Sequence, residues 1–249
     1  MNPHFHHLLN LRSRRRNFLL AAGFLTSFAL ASQKPRRVLA QPKYADYPFS
    51  LGVASGDPDA ESVVLWTRLA PNPLQGISMP PADVPVQWQI ARDETFTQVV
   101  GSGTALATPE LAHSVHVVAS GLDPDRWYWY QFRTGDALSP IGRTRTLPAP
   151  NSQPQQLALA TVSCQNYEHG YYPAYRHLAE EDLDFVLHLG DYIYEYAANP
   201  DSPHPRQHIG AETIDLDGYR LRYAQYKSDP DLQAAPAAFP FICTWDDHD

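Results

Sequence analysis

The sequence contains no acidic residue before Asp46, although its first forty residues hold seven of the nineteen Lys and Arg residues. The apolar stretch there, residues 18–31, is shorter than the ~20 residues that a helix needs to cross a bilayer, so we expect no stable membrane span. Low-complexity tracts are also missing, whereas 43% of the residues are hydrophobic and 12% are aromatic. This composition excludes a disordered chain and predicts globular domains with a buried core.

The order of basic residues followed by an apolar stretch is typical of an export signal. RRNFLL, residues 15–20, resembles the twin-arginine export signal, although Arg14 stands where Ser or Thr is usual. Cleavage fits after Ala31 or Ala40, and we favour Ala40, which makes residues 1–40 the signal. The resemblance implies that the twin-arginine translocase carries the folded protein, often loaded with a metal or cofactor, to the periplasm or outside. An uncleaved anchor or a basic disordered tail is the alternative.

The rest of the chain is strongly acidic. The whole sequence has a formal net charge of −8, and without residues 1–40 it keeps 12 basic and 27 acidic residues, a net charge of about −15. Because the phosphate backbone of nucleic acids attracts a basic surface, we expect no nucleic-acid-binding face.

Residues 47–147 are typical of a β-sandwich, with short runs of β-branched and aromatic residues between turn clusters. Tyr128, Tyr130 and Phe132 recur at every second position and should face the core. GVASG, residues 52–56, lacks the Gly-Lys-Ser/Thr of a phosphate-binding loop and predicts a turn. The predicted strands are Ser62–Leu69, Val84–Asp93, Ser114–Leu122 and Arg126–Gly135.

A proline-rich linker, residues 148–156, separates this region from residues 157–249, where the order is strand, helix, strand, helix, strand. Continuously apolar strands predict parallel pairing with both faces of the sheet covered, so the fold class is α+β or α/β. The predicted strands are 157–164, 183–191 and 240–249, and the predicted helices are 173–182 and 217–229.

Reactive side chains follow all three of these strands, namely Cys164, Asp191 and Asp246–Asp249. The carboxyl ends of parallel strands meet at one edge of a sheet. A thiolate, several carboxylates and an imidazole crowded there would repel or desolvate one another unless a cation neutralised them. The sequence therefore predicts a metal cluster at this edge.

Gly190 allows a tight turn that points the Asp191 carboxylate off the strand, where its two oxygens can bridge two cations. Tyr194 returns to the same side if the segment begins a helical turn. A phenol has an ordinary pKa of ~10 and ligates as phenolate, so near neutral pH it needs a strongly acidic ion such as Fe(III).

Four segments resemble the PhoD-type alkaline phosphatases, a branch of the calcineurin-like metallophosphoesterases, and the resemblance covers nearly all of residues 47–249. It implies an N-terminal immunoglobulin- or fibronectin-like β domain and a catalytic β-sandwich flanked by helices. It also implies a centre of Fe(III) and Ca(II), and hydrolysis of phosphate mono- and diesters outside the cytoplasm. The segments are FSLGVASGDPDAESVVLWTRLAP, SCQNYEHGYYPAYRHLAEEDLDFVLHLGDYIYEY, YRLRYAQYKSDPDLQAAPAAFPF and TWDDHD.

By motif, the resemblance assigns metal ligands residue by residue. Cys164 and Tyr194 resemble the iron-binding residues, and Asp191 resembles the bridging carboxylate. Asp247 stands where the wider superfamily has Asn and would bind a metal, and Asp246 is a further candidate ligand.

The same resemblance implies that His248 contacts the phosphate or donates a proton to the leaving oxygen, with Asp249 as its orienting partner. Our hypothesis for the reaction is in-line attack on phosphorus by a metal-bound hydroxide, without a covalent phosphoenzyme. A calcineurin-like site takes further ligands from loops beyond this motif. The resemblance therefore implies that the chain is the N-terminal portion of a longer enzyme, with little or no activity alone.

For the remaining cysteine and histidine residues, we expect roles other than catalysis or metal binding. Cys164 and Cys243 could form a disulfide in an exported protein, but Cys164 ends its strand and Cys243 lies inside its own, an offset that exceeds disulfide reach if the strands are in register, so Cys243 is expected to be a small buried residue. His188 is expected to be a satisfied core histidine. His204 and His208 lie in a proline-rich loop and should touch only solvent.

One alternative function belongs to another class of protein. The β domain could be an exported surface-binding module attached to a non-functional hydrolase remnant. We favour the enzyme, because a decayed site has no reason to keep reactive residues at the end of every strand.

Overall fold

The computed structural model describes residue 44 and residues 46–75, 79–201 and 203–249, and the predicted export signal lies outside them. The described strands are β1 Val53–Gly56, β2 Ser62–Arg68, β3 Val84–Ala91, β4 Val99–Ala107, β5 Ser114–Ser120, β6 Trp127–Thr134, β7 Ala137–Leu138, β8 Gly142–Arg145, β9 Leu159–Val162, β10 Phe185–His188 and β11 Pro240–Cys243. The described α-helices are α1 Pro173–Leu178, α2 Leu216–Lys227 and α3 Pro230–Ala238.

These strands form two sheets. The six-stranded sheet has the order β5-β2-β1-β11-β10-β9, and the other sheet has the order β4-β3-β6-β7 with β8 paired to β6. β9, β10 and β11 pair in parallel, as predicted for strands that alternate with helices. β1, β2 and β5 pair antiparallel, so the six-stranded sheet is mixed. One mixed sheet and one antiparallel sheet with few helices agree with the predicted α+β class.

The aromatic alternation of β6 places its side chains as predicted. Tyr128, Tyr130 and Phe132 are buried in a core between the β-rich elements, together with residues such as Val63 and Leu65 of β2. A second core, rich in tyrosine, packs α1, α2 and α3 against β10 and β11. The described residues nevertheless form one compact unit.

The pairing of β1 with β11 joins the two regions, and the sequence did not predict it. Residues 52–56 were expected to form a turn, which is wrong, because Val53–Gly56 is a strand that pairs in parallel with β11. Gly56 lies opposite Phe241, and a Cβ atom at Gly56 would lie 2.7 Å from the Phe241 carbonyl oxygen. The absence of a side chain at this position therefore lets the two strands approach.

Two of the other differences from the prediction concern β11 and α3, which are neighbours in the chain. β11 ends at Cys243 rather than at residue 249, so the acidic motif lies in the loop that follows the strand. α3 was not predicted, because prolines such as Pro230 and Pro236 usually interrupt a helix. Pro230 occupies an allowed first-turn position. Among the described residues, no helix is long and apolar enough to cross a membrane.

Candidate metal centre

The chain turns sharply immediately after β10. Gly190 has a φ of +100°, and a Cβ atom there would lie 2.4 Å from the Cβ of Asp246. Asp191 and Cys164 each have a φ of 56°, in the left-handed region that side chains disfavour. Unfavourable backbone conformations of this kind persist where surrounding contacts impose them, and they concentrate at functional sites.

Hydrogen bonds tie this turn to the loop after β9. The Cys164 amide donates to the Gly190 carbonyl oxygen, and the Gln165 amide donates to the Asp191 carbonyl oxygen, each at 3.2 Å. The Gln165 side chain donates to the Tyr192 carbonyl oxygen at 2.8 Å. The two loops therefore present Cys164 and Asp191 at the same edge of the sheet.

The Asp191 carboxylate is 5% exposed and only half satisfied. Its Oδ2 accepts a hydrogen bond from the Tyr194 hydroxyl at 2.9 Å, so Tyr194 does return to the side of Asp191. Its Oδ1 is buried without a hydrogen-bond partner among the described residues. Ligand atoms of Asp191, Asp247 and His248 lie within 4.8 Å of one another. A buried carboxylate oxygen without a partner, beside a second carboxylate and an imidazole, fits a site that binds a cation.

The Asp249 carboxylate binds backbone rather than the His248 ring. Its Oδ2 accepts hydrogen bonds from the amides of Asp191 at 2.8 Å and Asp246 at 3.2 Å, and its Oδ1 accepts from Tyr192 at 2.7 Å and Ile193 at 3.4 Å. This carboxylate fixes the loop after β11 onto the turn after β10. The geometry thus gives Asp249 a role in holding the loops together.

Glu195, which the sequence analysis did not single out, is the carboxylate that contacts the His248 ring. Its Oε2 lies 2.9 Å from His248 Nδ1, and the His248 and Tyr194 rings are 4.3 Å apart between centroids. Burial alone would lower the pKa of His248, but the hydrogen bond and charge of Glu195, with the charges of Asp247 and Asp191, raise it above the ordinary value. A local signal existed, because Glu195 follows Tyr194 directly in the GDYIYE motif.

Tyr194 keeps its proton in this arrangement. Burial, followed by the hydrogen bond to Asp191 and its charge, raises the pKa of Tyr194, and the neighbouring Cys164 sulfur adds to the rise. A phenol ligates a metal as phenolate, so only a strongly Lewis-acidic ion at Asp191 would draw this proton off. Cys164 is an exposed free thiol, and Asp246 is exposed outside the cluster of Asp191 with Asp247 and His248.

For Cys243, His188, His204 and His208 the sequence predicted neither catalysis nor metal binding, and the structure agrees with only part of these predictions. Cys243 is exposed and free, so the prediction that it is buried was wrong, because β11 ends there at the sheet edge. His188 is buried, and burial lowers its pKa to about 4, but among the described residues only its Nδ1 has a partner, accepting from the Gly190 amide at 3.3 Å. His188 is therefore a core histidine that is half satisfied.

The prediction that His208 and His204 touch only solvent was also wrong. His208 is buried, and its Nε2 lies 3.0 Å from the Tyr226 hydroxyl. Burial, followed by the charge of Arg222, lowers the pKa of His208 to about 4. The ring of His204 packs 4.5 Å from that of His169 between centroids.

Two family models match the chain over most of its length. The model of the PhoD-like phosphatase N-terminal domain matches residues 32–148, and the PhoD-like phosphatase model matches residues 159–249. The chain belongs to the PhoD-like phosphatase family. The resemblance recognised in the sequence motifs is thereby confirmed.

Two relatives illustrate the similarity within this family. Alkaline phosphatase D of Bacillus subtilis (strain 168) is 54% identical over 243 residues, which cover 94% of this chain and 42% of that protein. A solved structure described as the structure of PhoD is 58% identical, with a TM-score of 0.81, over 83% of this chain and 40% of the solved one. The chain thus spans about two fifths of the length of these relatives.

Proposed function

We propose that this protein is an exported, metal-dependent alkaline phosphatase and phosphodiesterase. The observation that carries the proposal is the half-satisfied, buried Asp191 carboxylate within 4.8 Å of ligand atoms of Asp247 and His248. Membership of the PhoD-like phosphatase family and the similarity to an alkaline phosphatase D support the reaction class. They favour the enzyme over the surface-binding module that the sequence left as an alternative.

The domain layout that accompanies this proposal divides the chain into two regions. Residues 47–147 are the immunoglobulin- or fibronectin-like β domain, and residues 157–249 belong to the metallophosphatase domain. The pairing of β1 with β11 supports a rigid connection between them. Residues 1–40 remain the proposed twin-arginine signal, and the periplasm or the cell exterior remains the proposed location.

The donor set fits the metals that the resemblance implies. A thiol, a phenol and carboxylates suit iron(III), and hard carboxylate oxygens suit calcium. Cys164 and Tyr194 would hold the iron, Asp191 would bridge, and Asp247 would hold the calcium with Asp246 beside it. When bound, the ions would cancel charge on the phosphate oxygens and lower the pKa of a water molecule.

The protein's own residues would orient the ester and move its proton. His248 donates from Nδ1 to Glu195, which fixes the ring, and its Nε2 has only the long 3.5 Å contact with the Tyr196 hydroxyl, which a substrate oxygen would replace. A protonated ring can then donate from Nε2 to the leaving oxygen, and the Glu195 carboxylate at Nδ1 stabilises the protonated form. Asp249, held by four backbone amides, keeps the loop that carries Asp247 and His248 against Asp191.

The first test is phosphate release from a simple phosphomonoester by the protein in its native, full-length form, with and without a chelator. We expect the chelator to abolish hydrolysis and added iron and calcium to restore it. Asp191→Asn should lower kcat/KM by at least about a hundredfold, since ligands to a catalytic ion are needed for charge stabilisation in the transition state.

Asp182→Asn is the matched control, because Asp182 is an exposed carboxylate on the same region of the chain and should leave the rate unchanged. Hydrolysis that persists in the chelator, or equal rates for the two variants, would contradict the proposal. A bis-aryl phosphodiester assayed in parallel tells whether diesters are also substrates.

A further inference from the structure

The Tyr194–Tyr196 segment supplies the groups that surround Asp191 and His248. Tyr194 donates to Asp191, and Glu195 pairs with His248. The Tyr196 hydroxyl lies 3.5 Å from His248 Nε2. This segment has no regular secondary structure, so other contacts must hold its backbone in place.

Tyr226 of α2 provides one of these contacts. Its side chain is fully buried, and its hydroxyl oxygen accepts the amide of Tyr194 at 3.1 Å and the amide of Tyr167 at 3.0 Å. The same hydroxyl pairs with His208 Nε2 at 3.0 Å. Because Tyr167 follows Cys164 and Tyr194 follows Asp191, one phenol ties both ligand-bearing loops to one helix.

Arg222, one turn earlier on α2, provides a further contact, beside the Thr213 amide, which donates to the Glu195 carbonyl oxygen at 2.9 Å. Arg222 is 1% exposed, and its Nη1 donates to the carbonyl oxygens of Tyr194 and, at 2.9 Å, Tyr196. The side chains that offset its buried charge include Glu168 and Glu195. Burying a guanidinium costs free energy unless the group is hydrogen-bonded. Arg222 makes its hydrogen bonds to the two carbonyl groups that flank Glu195.

We infer that Arg222 and Tyr226 are positioning residues of the metal centre. Their hydrogen bonds to the backbone of the Tyr194–Tyr196 segment hold Tyr194 and Glu195 in position. Neither side chain needs to touch substrate or metal. The inference rests on the proposed function, because it assigns these residues to the same site. Groups that orient metal ligands from outside typically change metal affinity or activity by about 10–100-fold when they are replaced.

The test compares Tyr226→Phe and Arg222→Met with a control of equal chemistry away from the site. Tyr128→Phe is that control, because the Tyr128 hydroxyl is also buried and accepts a backbone amide, that of Asp123, at 2.7 Å. Each full-length, metal-loaded variant is mixed with excess chelator, and the rate of metal loss is followed by elemental analysis. Measurements are made equally far below each variant's unfolding midpoint, so that loss of stability alone does not decide the result.

We expect metal loss about 10–100-fold faster in Tyr226→Phe and Arg222→Met than in the wild type, and within about twofold of the wild type in Tyr128→Phe. Hydrogen exchange of a peptide that contains the Tyr194 amide should accelerate in both site variants and not in the control. Arg222→Lys keeps a buried cation with one donor group, so it should lie between the wild type and Arg222→Met. It also serves as the informative variant if Tyr226→Phe does not fold.

Two results would overturn the inference, and they are distinguishable. If the wild type is chelator-sensitive but the α2 variants lose metal no faster than Tyr128→Phe, the positioning role alone is wrong. If the wild type retains no metal and hydrolysis ignores the chelator, the proposed function fails and the positioning role fails with it.

Discussion

Gly190 is a single residue on which the packing of the loops after β10 and β11 depends. Its φ of +100° disfavours any side chain, and the neighbouring Asp246 leaves no room for a Cβ atom. Asp246 begins the acidic motif that Asp249 ends. The close packing of the two loops therefore depends on a missing methyl group.

Gly190→Ala should destabilise the fold by about 2–4 kcal/mol, because a left-handed conformation costs about 1–2 kcal/mol and the clash with Asp246 adds to it. Urea unfolding measures the difference. Gly121→Ala is the control, since Gly121 also has a positive φ, +76°, but open space around it, and it should cost about 1–2 kcal/mol. Equal costs at the two positions would show that the loops can move apart.

The sequence predicted a contact between near neighbours in the chain and did not predict the contacts between distant residues. The contact between Asp191 and Tyr194 follows from a spacing of three residues, which a tight turn always brings together. The contact between Glu195 and His248 joins residues 53 apart, and the Asp249 carboxylate reaches backbone amides up to 58 residues away. Which carboxylate meets the ring depends on how two loops pack, and no periodicity encodes that.

At the scale of elements, Asp229 makes two kinds of contact at the start of α3. Asp229 caps the helix by accepting the amides of Asp231 at 2.9 Å and Leu232 at 3.1 Å. Its other oxygen lies 2.5 Å from Nη1 of Arg206, and both side chains are only 8% exposed. The Arg206 guanidinium also lies over the ring of Tyr167, 3.8 Å from the centroid. Asp229 thus links α3 to the proline-rich loop and to the turn after β9.

Asp229→Ala should cost about 3–5 kcal/mol, because it removes a cap and leaves a buried arginine without its partner. Asp215→Ala, which removes only the exposed cap of α2, should cost about 1 kcal/mol. Unfolding of both variants in urea measures the contrast. Adding Arg206→Met to Asp229→Ala should recover part of the loss, and a double variant no more stable than the single one would refute the charge argument.

Elements with a clear period or an ordinary composition were predicted, and elements set by neighbours were not. β6 and α2 lie within two residues of their predicted bounds, and the side chains of β6 alternate between buried and partly exposed as expected. β1 was missed because four small residues carry little signal of their own. Its extended conformation comes from hydrogen bonding to β2 on one edge and β11 on the other.

At the scale of the whole molecule, the pairing of β1 with β11 places strands of the two regions in one sheet. A substitution that weakens this pairing should therefore destabilise both regions. Gly56→Ala would place a Cβ atom 2.7 Å from the Phe241 carbonyl oxygen, and we expect it to cost about 1–3 kcal/mol. Hydrogen exchange of peptides from β2 and from β10 should accelerate together.

Gly170→Ala is the matched control, because Gly170 has an extended backbone and open space, and it should change neither peptide. Acceleration in β2 alone, with β10 unaffected by Gly56→Ala, would show that the two regions open independently.

The pairing of β1 with β11 also determines when the six-stranded sheet can be completed during synthesis of the chain. Close to β1, the Ser50 carbonyl oxygen accepts a hydrogen bond from Gln233, which follows it by 183 residues, and β11 comes later still. At about 5–20 residues per second of synthesis, β1 waits on the order of 10 s or more with one edge unpaired. During this interval the unpaired edge of β1 is open to pairing with other chains, and the loop after β11 cannot yet pack against the turn after β10.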